Sequence, residues 1–596
     1  MGKRGNLIHT SGKYRRLIST TIWYTYHNLE TGTPMASVQG MVDWKRKPIN
    51  RDKHGGTRAS LFIHFLVVMT NITFIGNVFN MVTYFRQTMH MDVGRSSATA
   101  TNVIGVSCAF ALVGGFFTDS YIIRFTGILF AGPIEFLGYV LLALQAHLPS
   151  IQPPVCEMTE QYSNCKQVRG YNAVVRYIGL YLVAFGEGCF RANLASLGGD
   201  QFDDNDPAEL EQKSSFFNWY TFSVSLGGFL GVTLLVWIQG NRGWDLAFTL
   251  AAGLTLLGVI AVASGFSFYR NLIPIGSPLT RMLQVLVAAY RKRKLPLPEM
   301  NEEIYLEYSK ENNVGEILFH TKGMAWLDTA SLSDGKTGDW YICSVSQVEE
   351  IKIVLRMLPV FLSSMICYIP MTLVQTLSIQ QGGTMNTKLG AIHVPPASLF
   401  VIPIVFQLVM LVIYDRVFVP FARRITGCPT GISHLQRIAV GLIAIILATM
   451  LGGVIEKKRK GVSEDHGLLD SGSPVPMSVM WLSLQFFATG IVDVIAFVGL
   501  LEFFNTEVSR GMKSLGTAMF YCNLGLASLM GSVLVDVVNE VTRHRGIGWL
   551  EGNNLNRDYL DRFYWFLTIL GLVAFMNYLY WARRYTYRQH NRAATS

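Results

Sequence analysis

Charge is what this sequence has least of. Only 15% of its 596 residues are Asp, Glu, Lys or Arg, and half are hydrophobic. Soluble domains carry roughly 25% charged residues, so composition excludes a soluble enzyme. Cysteine is sparse too, and its eight copies form no metal-binding pattern. Cys108, Cys189, Cys367 and Cys522 fall inside apolar segments, where a small polarizable thiol packs like any other side chain. A cleavable leader is not legible either. The first 58 residues are basic and polar, without an apolar stretch followed by a small-residue cleavage site. The part before Met35 has no periodic pattern and reads as an upstream extension or a disordered tail, which leaves Met1 and Met35 both open as starts.

What the chain has is long apolar runs, each near the ~20 residues a helix needs to cross a bilayer. Backbone in hydrocarbon must satisfy its own hydrogen bonds, so these runs are expected to be helices. Spans are expected near 60–86, 96–118, 122–147, 172–197, 215–239, 244–268, 354–380, 398–421, 432–455, 476–504, 512–537 and 560–583. Six spans, a polar link and six more spans make an all-α membrane protein of the major-facilitator type, with twelve transmembrane helices in two six-helix bundles. The expected division is a tail at 1–59, a first bundle at 60–268, a link at 269–350, a second bundle at 351–583 and a tail at 584–596. An amphipathic helix is expected in the link around Leu279–Tyr290.

The net charge of +10 does not point to nucleic acid, because the basic residues sit in short segments beside apolar runs. Residues 1–59 hold eleven Lys or Arg against three acids, the link carries RKRK from Arg291 to Lys294, and Arg583, Arg584, Arg588 and Arg592 close the chain. An even number of spans puts all three segments on one side, which the positive-inside rule makes cytoplasmic. The loop with Cys156 and Cys165 then falls outside, where a disulfide between the two is a candidate. The expected location is a membrane crossed many times, the plasma membrane first and the vacuolar membrane second, since no address signal is legible. No cofactor or metal is implied, and the oligomeric state is not legible.

An ionisable residue inside a membrane costs ~2.5–3.5 kcal/mol on insertion scales, so each one calls for a reason. Asp119 and Arg124 lie in GGFFTDSYIIR between spans two and three, as a charge pair at the membrane edge or as a gating latch between the halves. Glu187 and Arg191 stand one turn apart in GEGCFRANLASLGGDQFDD. Such a pair can neutralise itself on one helix face. Alternatively Arg191 stands unpaired about two turns from the helix end and offers a bidentate fork to a carboxylate or nitrate. Asp493 is the most isolated acid, in the middle of FFATGIVDVIAFVGLLEFF. It is a candidate for proton exchange or for a hydrogen bond to a neighbouring helix. Glu502, further along, reads as an anchor for the helix end. Tyr220, Gln375, Asn218, Ser223, Ser225 and Gln380 line a path or tie helices together.

GGDQFDD followed by FFNWYTFSVSLGG resembles the proton-dependent oligopeptide and plant nitrate/peptide transporter family. The resemblance continues through HGG at 54–56, VEEIKIVLRMLP at 348–359, SIQQGGTMN at 378–386, EFFNTE at 502–507, SLGTAM at 514–519 and NNLNRDYLDRFYW at 553–565. QAHLP at 145–149 and the long link look like the plant branch. The resemblance implies alternating access and transport of nitrate, peptides or organic acids, including hormones such as abscisic acid and gibberellin, usually driven by protons. Several departures stand out. Where the family's first helix carries Glu-x-x-Glu-Arg, this chain has Val67-Val68-Met69-Thr70-Asn71. Arg191 matches the family's span-four lysine, Ser225 its span-five Asn and Asp493 its span-ten acid, while Met371 or a neighbour stands where some nitrate-transporting relatives place a histidine. A cavity with one cation at 191, one acid at 493 and a first helix lined by Thr70, Asn71, Phe74 and Asn77 suits an amphipathic organic anion. The expected partners are a small anionic substrate, the bilayer and, with the first-helix motif absent, protons by a route left open. The alternative reading is a sensor that keeps the binding site and moves little.

Overall fold

The computed structural model describes residues 41–587 apart from 46, 51–52, 154–169, 204–205, 273–277, 295–317, 319, 322, 333–337, 339, 391, 414–416, 427–431, 471–472, 510–511, 544–547 and 553. Cys156 and Cys165, the segment before residue 41, and Arg588 and Arg592 lie outside the described residues.

The first bundle is built from α1 (Gly56–Gln87), α2 (Val93–Ser120), α3 (Arg124–His147), α4 (Tyr171–Gly199), α5 (Pro207–Leu230, continuing to Asn241) and α6 (Trp244–Ser264). The second contains α7 (Val345–Gly383), α8 (Val401–Ile413), α9 (His434–Asp465), α10 (Val479–Glu507), α11 (Lys513–Thr542) and α12 (Leu560–Arg584). Eleven of these are long and apolar enough to cross a membrane. The remaining expected span, 398–421, is a turn at Pro396–Phe400, then α8, then, beyond 414–416, a short helix Val419–Thr426. The chain is therefore an all-α membrane protein of the expected twelve-helix, two-bundle kind. Pro133 in α3 and Pro359 and Pro370 in α7 sit inside helices, a placement that neighbouring helices make tolerable in membranes.

Two boundaries differ from expectation, for the same reason. α7 begins at Val345 rather than near 354, and α9 runs to Asp465 rather than 455. The extra turns are polar but packed against protein. A capping box of Ser344 and Gln347 starts α7. In the α9 extension Glu456 and Arg459 are both fully buried and paired at 2.6 Å.

The segment ahead of α1 is not simply a tail. Met41–Val42 pairs antiparallel with Asn271–Leu272 just after α6. Beside this ribbon Arg270 is buried, gripping Glu209 of α5 through both terminal nitrogens (2.6 and 3.1 Å) and the His54 carbonyl through Nε (2.8 Å). One side chain thus ties the starts of α1 and α5 to the end of α6. Gly55 has φ 85°, and a Cβ there would sit 2.2 Å from Arg270 Nε. Within the link, Pro278–Lys292 forms the expected amphipathic helix. Its buried residues Val285, Ala288 and Ala289 pack on Leu327 and Ala330 of the link and on Val348 and Ile351 at the start of α7.

At the face opposite the two termini the bundles are sealed together. Phe79 of α1 stacks on Phe400 at 3.9 Å between centroids, and Phe400 meets Phe486 edge-on at 4.9 Å. Polar ties surround this apolar plug. Gln380 donates to the Val93 carbonyl (3.0 Å), Ser97 and Thr376 share a 2.5 Å hydrogen bond, and Ser398 donates to the Val232 carbonyl (3.0 Å). Toward the termini face, a cleft separates Gly115, Phe116 and Ser196 of the first bundle from Leu515, Ala518 and Tyr521 of α11, with Leu279 of the link helix at its edge.

Candidate functional site

α4 carries the cation of the site. Arg191 Nε donates to Glu187 Oε1 at 2.7 Å, and its guanidinium lies over the Phe74 ring, 4.8 Å from the centroid. The self-neutralising pair is therefore present, and the unpaired guanidinium expected from sequence is corrected: a side-on contact from its own helix holds it. That contact uses one of three nitrogens. No described residue accepts from the two terminal nitrogens, and the side chain remains 27% exposed. Tyr220 of α5 and Tyr521 of α11 lie close enough to feel its charge. Tyr521 also lines the cleft, and Ala192 and Ser196, the next residue and the next turn of α4, continue that wall toward the termini face.

The other candidates separate into those that face this space and those that do not. Phe74 forms the wall under the guanidinium. Thr70 is buried, its hydroxyl donating back to the Leu66 carbonyl at 3.1 Å, and Asn71 donates to the Val67 carbonyl at 2.8 Å. Both polar groups are thus turned to their own helix, and Asn71 packs where Gly227 lets α5 approach. Asn77, also buried, donates to Thr73 and accepts from Gln239, which fastens α1 to α5. Ser223 of α5 bonds the Trp219 carbonyl and lies 3.3 Å from His64. Gln380 belongs to the seal at the face opposite the termini. Gln375 is half-buried on α7.

Asp493 stands in the second bundle, at the start of a five-residue widened turn, Asp493–Phe497, which interrupts α10. Such π-type bulges add a residue to one turn and occur often at functional sites. No described side chain bonds its carboxylate; Tyr368 of α7 lies within reach of its charge. Arg191 and Asp493 thus stand in opposite bundles, without a described contact between them. Glu502, one helix segment on, accepts from Arg437 at 2.8 Å and anchors α10 to α9.

Asp119 and Arg124 do pair, at 3.0 Å, and Arg124 also grips Asp200 at 2.5 Å. All three belong to the first bundle, so this contact joins α2, α3 and α4 and does not latch one half against the other. A second ionic knot lies where the link meets α7. There Lys352 reaches Asp328 (2.7 Å) and Glu349 (2.8 Å), with His320 3.1 Å from Asp328. The two carboxylates are drawn in by that ammonium.

Sequence reasoning passed over Glu135 of α3. It is fully buried, and neither carboxylate oxygen has a hydrogen-bond partner. The signal was available: like Asp493, it is a lone acid in a charge-free apolar run, GPIEFLGYVLL.

Comparison with known proteins adds three findings. The POT family model (PTR2) matches residues 125–550. The chain is 37% identical over 583 residues to Protein NRT1/PTR family 4.6 of Arabidopsis thaliana, covering 94% of this chain and 99% of that one. It is 39% identical over 555 residues to NRT1/PTR family 4.5 of the same plant, covering 92% and 97%. Among solved structures, an autoinhibited POT family peptide transporter superposes with a TM-score of 0.66 at 17% identity, over 90% of this chain and 99% of that one. A POT family transporter in complex with 5-aminolevulinic acid gives 0.60 at 13%, over 92% and 100%. At such identities the structural likeness speaks to the fold.

Proposed function

The chain belongs to the POT family, and we propose that it is a secondary transporter of small amphipathic organic anions, working by alternating access around Arg191 in the plasma membrane. The observation that carries this reading is the presentation of Arg191. Glu187 holds the guanidinium from one side, the Phe74 ring lies beneath it, and the two terminal nitrogens keep a bidentate edge for a carboxylate. Tyr220, Tyr521 and Phe74 supply aromatic surface for an apolar body beside that carboxylate. The sealed face with Phe79 and Phe400 and the cleft at the other face correspond to a conformation open toward the cytoplasm, once the basic termini are placed there by the positive-inside rule. Rocking the bundles about the plug would exchange the two openings. Asp493, across from Arg191 in the second bundle, is the proposed partner for a proton or for a cationic group on the cargo.

Uptake of abscisic acid, gibberellin, nitrate and a dipeptide into oocytes, at acidic and near-neutral external pH, tests the reading. Uptake of an organic acid that Arg191→Ala abolishes, with the variant still at the cell surface, is the expected result. Undiminished uptake by that variant would remove Arg191 as the anchor. Absence of uptake for all four, with the protein at the surface, would overturn the proposed activity.

A further inference from the structure

Glu135 and Glu187 approach each other across the crossing of α3 and α4. Gly186 makes the approach possible, since a Cβ there would lie 2.3 Å from the Glu135 Cβ and 3.0 Å from its Oε2. Glu135 is fully buried with both oxygens unpartnered, and Glu187 spends Oε1 on Arg191 while its Oε2 is buried and unpartnered too. Three buried carboxylate oxygens without partners therefore stand near one guanidinium, whose own side chain keeps 27% exposure. Glu135 is within electrostatic reach of both Glu187 and Arg191.

The groups facing this pair can be named element by element. α3 adds Tyr139, one turn on from Glu135. α4 adds Cys189 and Arg191, α2 adds Cys108, and α5 and α11 add Tyr220 and Tyr521. α6 packs on α3 with Val259 against Gly132 and has no ionisable residue along its length beyond Asp245 at its start. Arg191 is thus the one permanent cation among these groups. With both carboxylates ionised the cluster carries a net charge of −1; with one proton it is neutral. Uncompensated charge in a dry interior is strongly disfavoured.

We propose that Glu135 and Glu187 form a proton-carrying carboxyl pair that couples a proton to anion binding at Arg191, in place of the first-helix motif this chain lacks. The inference rests on the reading of Arg191 as the anion anchor. In the unloaded site the proton sits on Glu135, and Glu187 is the counter-ion of Arg191. When a monovalent anion takes the terminal nitrogens of Arg191, the cluster would again be one negative charge in excess, and a proton from water binds Glu187. Both leave together on release. One proton travels with each monovalent anion, and the loaded and empty sites carry the same net charge.

Two measurements test the pair. The first needs no substrate. The infrared spectrum of the purified protein near neutral pH is expected to show a protonated-carboxyl carbonyl band that Glu135→Gln removes, Glu135→Asp restores and Asp493→Asn leaves in place. A wild-type spectrum that Glu135→Gln does not alter would overturn the proposal. The second uses proteoliposomes loaded with abscisate. The travelling proton rides on Glu187 while Glu135 stays neutral, so Glu135→Gln is expected to keep both abscisate counterflow and its accumulation driven by an inward proton gradient. The double variant Glu135→Gln/Glu187→Gln, with no carboxyl left to take the proton, is expected to lose the accumulation relative to whatever counterflow it retains. Accumulation at the wild-type level in the double variant would overturn the pair while Arg191 stands. Counterflow that survives Arg191→Ala would instead overturn the anchor, and the substrate-free spectrum then reports on the pair by itself.

Discussion

Phe79 and Phe400 come from different bundles and lie nearly parallel, 12° between planes and 3.9 Å between centroids. No closer aromatic pair joins the two halves among the described residues. Removing a buried Phe costs about 3–5 kcal/mol where the site cannot collapse, and an aromatic pair adds ~0.5–1.5 kcal/mol beyond its area. In the proposed alternating-access cycle this contact exists only while the face opposite the termini is shut, so the loss falls on that conformation. Phe400→Ala is expected to raise labelling of a cysteine placed at Ser97, from the face opposite the termini, by about tenfold or more, since each 1.4 kcal/mol is a factor of ten. Unchanged labelling would mean the plug does not decide which face is open.

Gly55 predicts a defect in assembly rather than in transport. Its φ of 85° suits glycine, and a Cβ would meet Arg270 Nε at 2.2 Å and the Gln201 carbonyl at 2.6 Å. Gly55→Ala must displace the buried arginine that binds the starts of α1 and α5 to the end of α6. The expected outcome is little protein at the cell surface and a clear fall in melting temperature of whatever can be solubilised. Gly56 also has a positive φ but open space around its Cβ position, so Gly56→Ala should be the milder change.

A pH dependence is expected at the face opposite the termini. Burial pushes the Asp558 carboxyl up to about 7, with nearby Asp92 and Glu456 adding to the rise and Arg86 and Lys460 opposing it. Asp92, which caps α2, is also raised by burial. When the outer face opens, water returns Asp558 toward its usual carboxylate range. The sealed conformation then binds more protons, so it gains stability as pH falls through 7 and the gain is complete near pH 4. The slope is at most about tenfold per pH unit for one proton. Labelling of the Ser97→Cys reporter, taken relative to a cysteine at a freely exposed position so that thiol ionisation cancels, should fall between pH 8 and pH 5, and Asp558→Asn should flatten that response. An equally steep response in Asp558→Asn would place the titrating group elsewhere.

Glu456 and Arg459 offer a test of the α9 extension. Arg459 bonds both Glu456 oxygens (2.8 and 2.6 Å) and also Asn556 Oδ1 at 2.5 Å and the Leu555 carbonyl at 3.2 Å, with no exposure. Leaving one buried charge without its partner costs ~3–5 kcal/mol, whereas an apolar pair of similar size is often tolerated. Arg459→Met should lower the melting temperature strongly, and adding Glu456→Met should restore part of the loss. Recovery stays partial because Asn556 and Leu555 still lose a donor.

These same residues show where the sequence was readable. Twelve apolar runs and a basic link suffice for the two-bundle architecture, because lipid permits few alternatives for a run of that length. Helix ends were harder, since a charged stretch such as EKKRKG reads as aqueous unless its partners are known, and Asn556 lies 97 residues from Arg459. The charges of the proposed site stand out in the sequence more than its polar neutrals do. Arg191, Phe74 and Asp493 could be picked out, while Thr70 and Asn71 were expected in the cavity and turn back on their own helix. Whether a helical Thr or Asn faces a cavity or its own carbonyls depends on the neighbouring helix, which one sequence does not display. The alliance of Glu135 with Glu187 depends likewise on the crossing angle that Gly186 permits.

The single-nitrogen grip of Glu187 on Arg191 bears on what a lysine could do in this place. A guanidinium is a flat fork: it can be moored by Nε and still hold two donors in fixed directions. An ammonium is a point. Moored to Glu187 it has no rigid second edge, and turned to the cargo it abandons its mooring. In this chain the acid one turn before the cation and the choice of arginine over lysine therefore form one adaptation, and a relative could acquire either change alone only by giving up the geometry that makes the other useful.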